Sequence, residues 1–383
     1  MEVKKLKECC TIIAGQSPKS KYYNSNGDGL PFFQGKADFG ELYPSIRVYC
    51  SQPTKIAEKD DILLSVRAPV GPTNLAPCKV CIGRGLTAIR PSEVLLTRYV
   101  LLFFRYFEAQ LASKGTGTTF KAITQDVVKN LEIPIPPLPE QERIVARIEE
   151  LFSQLDAGVE TLKKTKAKLA VYRQAVLKEA FSDCDDSVTM GSVATMIDPQ
   201  PSHRTPPEFE NGIPYIGIGD IDYNGKTIRF KNARKVNPSV YEDHLQRYTL
   251  RDGDFVMGKI GTIGKPFRLP LPQNYTLSAN VILIQPDAGK INPEYLFWQF
   301  SSPLITEQLM EGKNETSQPA FGIQKARLLQ IKMCSPEAQD RIVYDIREKI
   351  SVCEHIEQTV TLSLQQAEAM RQSILKDAFE GRL

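Results

Sequence analysis

One long segment of this sequence occurs twice, and that repetition constrains the fold more than any other feature. Residues 142–181 align without a gap with residues 340–379 at a shift of 198 positions, so that Arg143-Ile144-Val145 falls on Arg341-Ile342-Val343. An ungapped self-match of this length indicates an internal duplication. Because a chain of 383 residues rarely forms one core, two units of about 190 residues each are predicted.

The apolar residues of both copies are spaced alternately by four and by three positions, which is the heptad pattern of a coiled coil. In the first copy this seam consists of Ile144, Ile148, Leu151, Leu155, Gly158, Leu162, Thr165, Leu169, Tyr172 and Val176. In the second copy it consists of Ile342, Ile346, Lys349, Cys353, Ile356, Val360, Ser363, Ala367, Met370 and Ile374. Pro139 and Pro336 stand where the helices would begin, as expected of a residue tolerated only in a first turn or before it. Each copy is predicted to be one helix of about 40 residues, roughly 60 Å long, and the two helices to pack antiparallel.

The segments before the two helices have a different texture, with short apolar runs, turn dipeptides and many glycines and prolines. Strands are predicted at runs such as residues 30–33, 61–66 and 86–89, each closed by Gly or Pro. One helix is predicted at residues 97–112, with an apolar face too wide for a surface helix.

Residues 186–333 repeat landmarks of the first segment in the same order. Gly264 corresponds to Gly71, and Tyr295 corresponds to Tyr99. The predicted fold is therefore α+β, with two similar mixed α/β domains separated by two long antiparallel coiled-coil helices in an internal pseudo-two-fold repeat. The predicted boundaries are 1–133 for the first globular domain, 134–184 for the first helix, 185–333 for the second globular domain and 334–383 for the second helix.

Composition excludes few functional classes. The formal net charge is only +3, so charge alone does not indicate a nucleic-acid partner. The first residues lack the apolar run of a signal peptide and no stretch is long enough to span a bilayer, so a cytoplasmic location is expected.

The eight cysteines show no disulfide framework and are expected to be reduced. Cys78 and Cys81 have metal-like spacing, but no second pair completes a zinc site, so a structural role is favoured and no metal is predicted.

Two glycine-rich stretches are similar to phosphate-binding loops only superficially. In residues 219–227 the glycines are separated by five residues instead of four, and Asn224-Gly225 is a strong hairpin signal. Residues 258–265 are followed by Pro266, where a phosphate loop needs Ser or Thr. A hairpin turn is the favoured interpretation of the first stretch.

Catalytic motifs are otherwise missing from the sequence. Residues 292–295, Asn-Pro-Glu-Tyr, are similar to the N-P-P-Y loop of amino-methyltransferases, but Glu294 replaces the second proline and no glycine-rich cofactor loop precedes it. The three histidines, His203, His244 and His355, do not repeat between the halves. Neither a nuclease carboxylate pair nor a Ser/His/Asp set can be assembled, so the sequence predicts no catalytic residue and favours a binding protein.

Polar and basic residues near glycines are the candidates for a binding surface. In the first domain they are Gln34, Lys36, Arg67, Lys114, Thr116, Thr118 and Lys121, and in the second they are Lys226, Arg229, Lys231, Lys259, Lys265, Lys313 and Lys325. Lys and Arg pair with phosphates, while Gln and Arg can form two hydrogen bonds with an adenine or guanine edge. For each residue singly the alternative is a solvated surface charge. The glycines near Arg67 and Lys114 favour binding, because they let the backbone approach a polymer closely.

The residues that enter and leave the long helices resemble a known family. Pro136-Pro137-Leu138-Pro139-Glu140-Gln141 at the first entry, residues 177–181 and 375–381 at the exits, and Gly29-Leu30-Pro31-Phe32 look like the specificity subunit of type I restriction-modification systems. The resemblance covers essentially the whole chain. The second entry, residues 334–339, keeps Pro, Glu and Gln but lacks the double proline.

This resemblance implies a division of labour. Each globular domain would be a target recognition domain that reads one half of an asymmetric, bipartite site in double-stranded DNA, and the paired helices would set the gap between the halves. Two methyltransferase subunits and two restriction subunits would dock on the chain, bringing S-adenosylmethionine, ATP and Mg²⁺, while this chain itself would hold no cofactor and no membrane contact. Target flipping by the partner suits domains that grip DNA on both sides of the target adenine.

A second function class fits the duplicated helices. The chain could be a non-enzymatic coiled-coil scaffold whose globular domains bind protein instead of DNA. Such a scaffold would show no salt-dependent affinity for DNA.

Overall fold

The computed structural model describes residues 2–116, 122–260, 263–312 and 321–383. Three candidate binding residues, Thr118, Lys121 and Lys313, lie outside these ranges. The chain divides into two compact units, one formed by Met1–Lys163 with Thr361–Leu383 and the other by Lys164–Val360. We call them the first unit and the second unit.

Within the described residues, the first unit contains eleven strands, three short or medium α-helices, the first part of one long helix and the last part of another. Its strands are Glu2–Lys5 (β1), Cys10–Ala14 (β2), Tyr23–Asn24 (β3), Leu30–Phe33 (β4), Tyr49–Cys50 (β5), Ile56–Ala57 (β6), Ile62–Ser65 (β7), Thr73–Leu75 (β8), Val80–Ile82 (β9), Leu86–Pro91 (β10) and Glu132–Ile135 (β11). Its helices are Leu6–Cys9 (α1), Thr97–Ser113 (α2), Gln125–Lys129 (α3) and the beginning of Leu138–Glu179 (α4).

The sheets of the first unit follow from its buried apolar runs. Strands β2, β10, β7 and β8 form an antiparallel sheet in that order, and every residue of β7 is buried. Strands β3, β5, β4, β9 and β6 form a second sheet, and β1 pairs with β11. The strands predicted at residues 30–33, 61–66 and 86–89 are confirmed as β4, β7 and β10.

Helix α2 supplies most of the aromatic core of the first unit. The predicted helix at residues 97–112 is confirmed, and residues 99–104 are all buried, which accounts for its wide apolar face. The Tyr99 hydroxyl donates a hydrogen bond of 3.1 Å to the Pro134 carbonyl, which ties α2 to β11. The same core includes Ile148 near the start of α4.

Counted over its described residues, the second unit contains eleven strands, five short α-helices, the last part of the first long helix and the first part of the second. Its strands are Asp186–Thr189 (β12), Ala194–Ile197 (β13), Ile213–Ile216 (β14), Ile221–Asp222 (β15), Thr227–Ile228 (β16), Arg234–Val236 (β17), Phe255–Gly258 (β18), Pro266–Arg268 (β19), Thr276–Leu277 (β20), Val281–Pro286 (β21) and Gln330–Met333 (β22). Its helices are Met190–Val193 (α5), Pro238–Leu245 (α6), Pro293–Phe300 (α7), Pro303–Gly312 (α8), Ile323–Arg327 (α9) and the beginning of Pro336–Phe379 (α10).

The main sheet of the second unit has the same arrangement as that of the first. Strands β13, β21, β18 and β19 are antiparallel neighbours in that order, and β12 pairs with β22 as β1 pairs with β11. Strands β17, β14 and β20 form a further sheet. The hairpin predicted at Asn224-Gly225 is confirmed, because it joins the antiparallel strands β15 and β16.

The landmark residues found in sequence occupy matching positions in the two units. Gly71 and Gly264 both have positive φ, +111° and +77°, a backbone conformation that glycine adopts without strain. The Tyr295 hydroxyl donates to the Lys332 carbonyl at 3.0 Å, at the position that corresponds to the Tyr99 hydrogen bond.

Both long helices predicted from the repeat are confirmed. Helix α4 has 42 residues and α10 has 44. Pro139 is the second residue of α4 and Pro336 is the first of α10. A proline is tolerated there because the first N–H groups of a helix have no intrahelical partner to lose.

Within each unit the two long helices run antiparallel. In the first unit Ile148 shares a core with Leu375, and Asp156, two turns further along α4, forms an ion pair with Arg371, one turn earlier on α10. In the second unit Arg173 and Glu357 form an ion pair of 2.8 Å. Leu177, one turn further along α4, shares a core with Ile350, two turns earlier on α10. Rising residue numbers on α4 therefore face falling numbers on α10.

The packed stripe of these helices differs from the predicted seam at alternate steps. Ile346, Cys353, Val360 and Ala367 are buried as predicted. Ile356 is 38% exposed and Met370 54% exposed, and the buried residue near the predicted Lys349 is Ile350. At those positions the packed residue is the one that follows the predicted residue on α10.

The predicted seam residues of α4 show graded burial. Ile144 and Ile148 are buried, Leu151, Leu155, Leu162 and Leu169 are half-buried, and on α10 Ile342 and Ile374 are half-buried. Of these predicted seam residues on α4, the most buried are therefore those near the start of the helix, where it joins the core of the first unit.

Across the described ranges, no helix combines the length and the apolarity needed to cross a bilayer. No cluster of His, Cys, Asp and Glu in those ranges has metal-binding geometry. All eight cysteines are free thiols, and Cys78 is half-buried.

Candidate DNA interface

A buried glutamine at the start of each long helix holds the globular part in a fixed position. The Gln141 side chain is fully buried and accepts a hydrogen bond of 2.9 Å from the Leu96 backbone N–H. It donates hydrogen bonds of 2.8 Å to the carbonyls of Val94 and Pro136. Because a buried amide needs its partners, this residue ties the start of α4 to the turn before α2.

Gln339, which lies 198 positions later, has the same role in the second unit. It is buried, accepts a hydrogen bond of 2.8 Å from the Asn292 N–H and donates one of 3.0 Å to the Cys334 carbonyl. Asn292 caps α7, as its side chain accepts from the backbone N–H groups of Glu294 and Tyr295. The glutamine of each helix entry therefore anchors the same element in both units.

In the first unit, Arg67 lies where three chain segments meet. It follows β7 and forms an isolated antiparallel bridge with Ala122, which also exchanges two hydrogen bonds of 3.0 Å with Thr116. The Ser65 hydroxyl donates to the Arg67 carbonyl at 3.1 Å. These contacts fix the backbone and leave the Arg67 side chain exposed.

A second arginine, Arg84, lies beside Arg67. Both line a small cavity of about 200 Å³, together with Gln125 and the backbone around Gly15. Arg84 was missed in the sequence analysis, although its Gly83-Arg84-Gly85 setting has the glycine flanks used to select Arg67. The sequence signal that could have identified Arg84 is the glycine on each side of it.

Gln34 approaches the same turn. A Cβ atom on Gly85 would lie 2.2 Å from the Gln34 carbonyl oxygen, so the two backbones are in close contact. The Gln34 side chain is exposed, as are Lys36 and Lys114. The Lys114 ammonium lies 5.5 Å from the centre of the Phe107 ring. The structure thus brings together Gln34, Arg67 and Arg84.

Backbone hydrogen bonds identify the corresponding surface of the second unit. The Ile123 N–H donates to the Val66 carbonyl at 3.0 Å, and the Phe321 N–H donates to the Lys259 carbonyl at 2.9 Å. Lys259 therefore occupies the position of Val66, and Ile260, which is 38% exposed, follows it where Arg67 stands in the first unit.

The position of Arg84 also has a different residue in the second unit. The Val66 N–H donates to the Gly85 carbonyl at 2.9 Å, and the Lys259 N–H donates to the Asn280 carbonyl at 2.8 Å. Asn280 therefore corresponds to Gly85, and Ala279 takes the place of Arg84. Both arginines of the first surface are replaced by apolar residues in the second.

Lys259 itself is engaged in an ion pair. Its ammonium lies 2.7 Å from a carboxylate oxygen of Asp198, and both side chains are more than 80% buried, with exposures of 14% and 17%. The His203 ring lies 3.9 Å from the same carboxylate. Asp198 therefore already neutralises the charge that Lys259 would bring to a phosphate.

The remaining predicted residues of the second unit are spread over its surface. Lys226 pairs with Glu354, and Arg229 donates to the Gly219 carbonyl at 2.6 Å. The Lys265 ammonium lies 4.3 Å from the centre of the Tyr223 ring. Lys231 and Lys325 are exposed. The structure does not gather them into one cluster comparable to that of the first unit.

Comparison with known proteins shows which sequences this chain is similar to. Residues 1–170 match the family model described as the type I restriction modification DNA specificity domain. A putative type I restriction enzyme MjaX specificity subunit of Methanocaldococcus jannaschii is 42% identical over 162 residues, which cover 41% of this chain and 38% of that protein. The type I restriction enzyme EcoBI specificity subunit of Escherichia coli is 23% identical, with 97% of this chain and 84% of that protein covered.

One solved structure adds to these relatives. The HsdS subunit from Thermoanaerobacter tengcongensis is 49% identical in a match that covers 41% of this chain and 38% of that chain, with a TM-score of 0.38. The matched part thus spans well under half of the M. jannaschii and T. tengcongensis proteins. The chain is thus similar in sequence to type I restriction enzyme specificity subunits, and the family model matches somewhat less than half of it.

Proposed function

We propose that this chain is the non-catalytic subunit that reads DNA sequence in a type I restriction-modification complex. Each unit would recognise one half of an asymmetric, bipartite site. This proposal uses the finer architecture predicted from the sequence, in which two recognition domains, 1–133 and 185–333, alternate with two spacer helices, 134–184 and 334–383, in a pseudo-two-fold repeat with a coiled-coil pairing.

One observation carries the proposal: the two units share their frame but differ on their exposed loops. The sheet order, the buried glutamine and the tyrosine hydrogen bond are the same in both. At the loop positions, however, the residues differ: Arg67 and Arg84 of the first unit correspond to Ile260 and Ala279 of the second. Two similar frames with different loops are what a reader of two different half-sites requires, because base contacts specify a sequence while the frame only positions them.

The loop chemistry of the first unit supports contact with DNA. An exposed arginine can pair with a phosphate or form two hydrogen bonds with the O6 and N7 atoms of guanine. Gln34 beside the arginines can read adenine in the same manner. Among the predicted residues we therefore assign the largest share of binding to Gln34, Arg67 and Thr116, with Arg84 added.

The partners and cofactors follow from the family. The E. coli and M. jannaschii relatives are named as specificity subunits of type I restriction enzymes. We propose that this chain assembles with two methyltransferase and two restriction subunits, which would hold S-adenosylmethionine, ATP and Mg²⁺. A cytoplasmic location is proposed with them, because the DNA substrate lies there.

Genome-wide methylation mapping tests this function. The chain is co-expressed with its cognate methyltransferase subunit, and N6-methyladenine is mapped with and without the chain. We expect methylation at one bipartite motif that disappears without the chain. A soluble complex that methylates no motif, and shows no salt-dependent DNA affinity, would instead support a protein-binding scaffold.

A further inference from the structure

The second unit contains a cleft of about 1000 Å³ to which no role has yet been assigned. One wall is formed by β19 and the hairpin that contains Tyr223, and another by α7 and α8. Residues of α4 and α10 that belong to the second unit close the third side. Its volume lies at the upper end of the range in which proteins bind small molecules.

The floor of the cleft is aromatic. Phe297 and Trp298 lie on it with their rings 5.6 Å apart in an edge-to-face arrangement, and Tyr223 stands on the hairpin side. Burial raises the pKa of Tyr223 to about 12, so its hydroxyl stays neutral. Flat aromatic side chains of this kind bind planar ligands by stacking.

The rim of the cleft carries more positive than negative charge. Glu294 is shared by two arginines, pairing with Arg268 at 3.0 Å and with Arg347. The Arg268 guanidinium also lies 4.1 Å from the centre of the Phe297 ring. Burial, and next the charge of Arg347, lowers the pKa of Arg268. One carboxylate between two arginines leaves a cationic site beside an aromatic surface.

Lys265 adds a further cation at the rim of the cleft, beside the two arginines. Its ammonium lies over Tyr223 at 4.3 Å, and no carboxylate within the described residues forms an ion pair with it. The Tyr223 hydroxyl donates to the Lys265 carbonyl at 3.1 Å, which fixes the lysine backbone against the ring. Stacking and positive charge therefore occur within the same cleft.

The first unit shows that the fold does not require a cation at the position of Arg268. Leu75 lies opposite Ile62 in the sheet as Arg268 lies opposite Phe255, but Leu75 is buried. Its N–H donates to the Leu42 carbonyl at 2.8 Å, and Leu42 packs on the core of that unit. At this position the first unit therefore has apolar packing where the second unit carries Arg268.

We infer that this cleft binds a small aromatic anion, namely a free nucleoside phosphate. Its planar base would stack on Trp298, and its phosphate would bind Lys265 and Arg268, whose guanidinium lies against the neighbouring Phe297 ring. This inference goes beyond DNA reading and does not depend on it.

Trp298 provides a direct probe, because it is the single tryptophan of the chain. The full chain is titrated with adenosine monophosphate while tryptophan emission is recorded, and calorimetry measures the same binding. We expect a saturable change below about 1 mM, with adenosine and inorganic phosphate each binding at least tenfold more weakly. If either fragment binds as well as the nucleotide, or if no saturable change occurs, the inference fails.

Two variants and one oligonucleotide complete the test. Lys265→Gln and Arg268→Gln should each weaken binding about tenfold. The control Lys290→Gln removes an exposed lysine outside the cleft, which pairs with Asp287 at 3.1 Å, and should bind as the unaltered chain does. Because Lys265 is exposed, its substitution tests the site even if Arg268→Gln does not fold. Tighter binding of a short single-stranded oligonucleotide than of the mononucleotide would overturn the assignment to a free nucleotide.

Discussion

The side-chain oxygen of Gln141 accepts a hydrogen bond of 2.9 Å from the backbone N–H of Leu96, the residue immediately before α2. The contact joins two helix starts that are 45 positions apart in sequence, and the Gln141 side chain is fully buried. Gln339 repeats the contact with Asn292. A recognition surface keeps its orientation relative to the adjoining part of a long helix only if this junction is stiff, and a buried, satisfied amide makes it so.

Replacement of this glutamine by leucine should destabilise the unit strongly. In Gln339→Leu the Asn292 N–H and the Cys334 carbonyl lose their partners inside the protein. We expect a loss of about 2 to 4 kcal/mol in the unfolding free energy, since each unsatisfied buried group costs about 1 to 3 kcal/mol. Urea unfolding followed by Trp298 fluorescence measures it, because that tryptophan lies in the same unit.

The matched control is the same substitution at an exposed glutamine. Gln154→Leu lies on α4 where the side chain is exposed, so a change of less than about 0.5 kcal/mol is expected in unfolding followed by circular dichroism. Equal effects at Gln339 and Gln154 would show that the buried hydrogen bonds contribute little.

Gly158 offers a stabilising substitution in the middle of α4. It is exposed, and a Cβ atom there would have no heavy atom within 4 Å. Gly158→Ala should raise the unfolding free energy by about 0.5 to 1 kcal/mol, because alanine has the higher helix propensity. Thermal unfolding by circular dichroism tests this.

A contrasting substitution is Gly264→Ala. Its Cβ would lie 2.2 Å from a Leu309 methyl group, and its φ is +77°. This variant should lose stability by more than about 1 kcal/mol, since both sterics and backbone conformation oppose alanine. A gain in stability would contradict the geometry.

The helices could be predicted from sequence, but their packed stripe only in part. The heptad pattern predicted Ile346, Cys353 and Val360 correctly as buried positions. At Met370 the pattern favoured an apolar residue, whereas Arg371 is the less exposed of the two, at 27%. Arg371 stacks over Phe152 at 5.0 Å and pairs with Asp156, and such contacts between distant segments cannot be read from periodicity.

The candidate binding residues could likewise be predicted from the sequence only in part. Residue type and glycine flanks pointed to Arg67, and the structure brings it together with Gln34 and Arg84. Lys259 satisfied the same criteria, yet it forms an ion pair with Asp198, 61 positions earlier. Whether a cation is exposed or neutralised depends on tertiary pairing, which one sequence does not display.

The stability of the second unit should depend on pH through His244. This buried side chain contacts Thr276, and its Nε2–H donates a hydrogen bond of 2.6 Å to the amide oxygen of Gln200. Burial, and next the charge of Arg247, lowers the pKa of His244, while Asp243 opposes the shift. The unfolded state therefore binds the proton more readily, so stability is complete above the unfolded pKa of about 6.5 and is lost as the pH falls below it.

Urea unfolding at several pH values between about 7.5 and about 5.5 measures this dependence. In His244→Gln the fall in unfolding free energy over that range should be smaller than in the unaltered chain. His355 is exposed on α10, and His355→Gln should keep the original pH profile. A profile that is unchanged in His244→Gln would exclude His244 as the source.

The arginine pair of the first unit should contribute to the salt dependence of DNA binding. Loss of one phosphate contact lowers the slope of log affinity against log salt by about 1. We expect this change for Arg67→Gln and for Arg84→Gln, measured by fluorescence anisotropy on the complex with its methyltransferase subunit. Lys79→Gln, at an exposed lysine that pairs with Glu58 at 3.2 Å, is the control and should keep the slope. An unaltered slope in both arginine variants would remove these residues from the interface.

The continuity of α4 and α10 between the two units leads to a prediction about the gap in the DNA site. Insertion of seven residues between Lys163 and Lys164, and of seven between Val360 and Thr361, leaves every contact within each unit intact because these are the unit boundaries. Seven helical residues add about 10 Å, which corresponds to about 3 base pairs of 3.4 Å. A heptad also preserves the rotational phase of the helix to within about 20°.

Mapping of N6-methyladenine should therefore reveal the original two half-sites, separated by a gap about 3 base pairs longer. Insertion of seven residues into α4 alone is the control. It shifts α4 against α10 and should abolish methylation, because Ile148 and Leu375 pack in the core of one unit while Arg173 pairs with Glu357 in the other. A double insertion that changed the bases of a half-site would refute the spacer role, since the recognition loops of each unit are untouched by it.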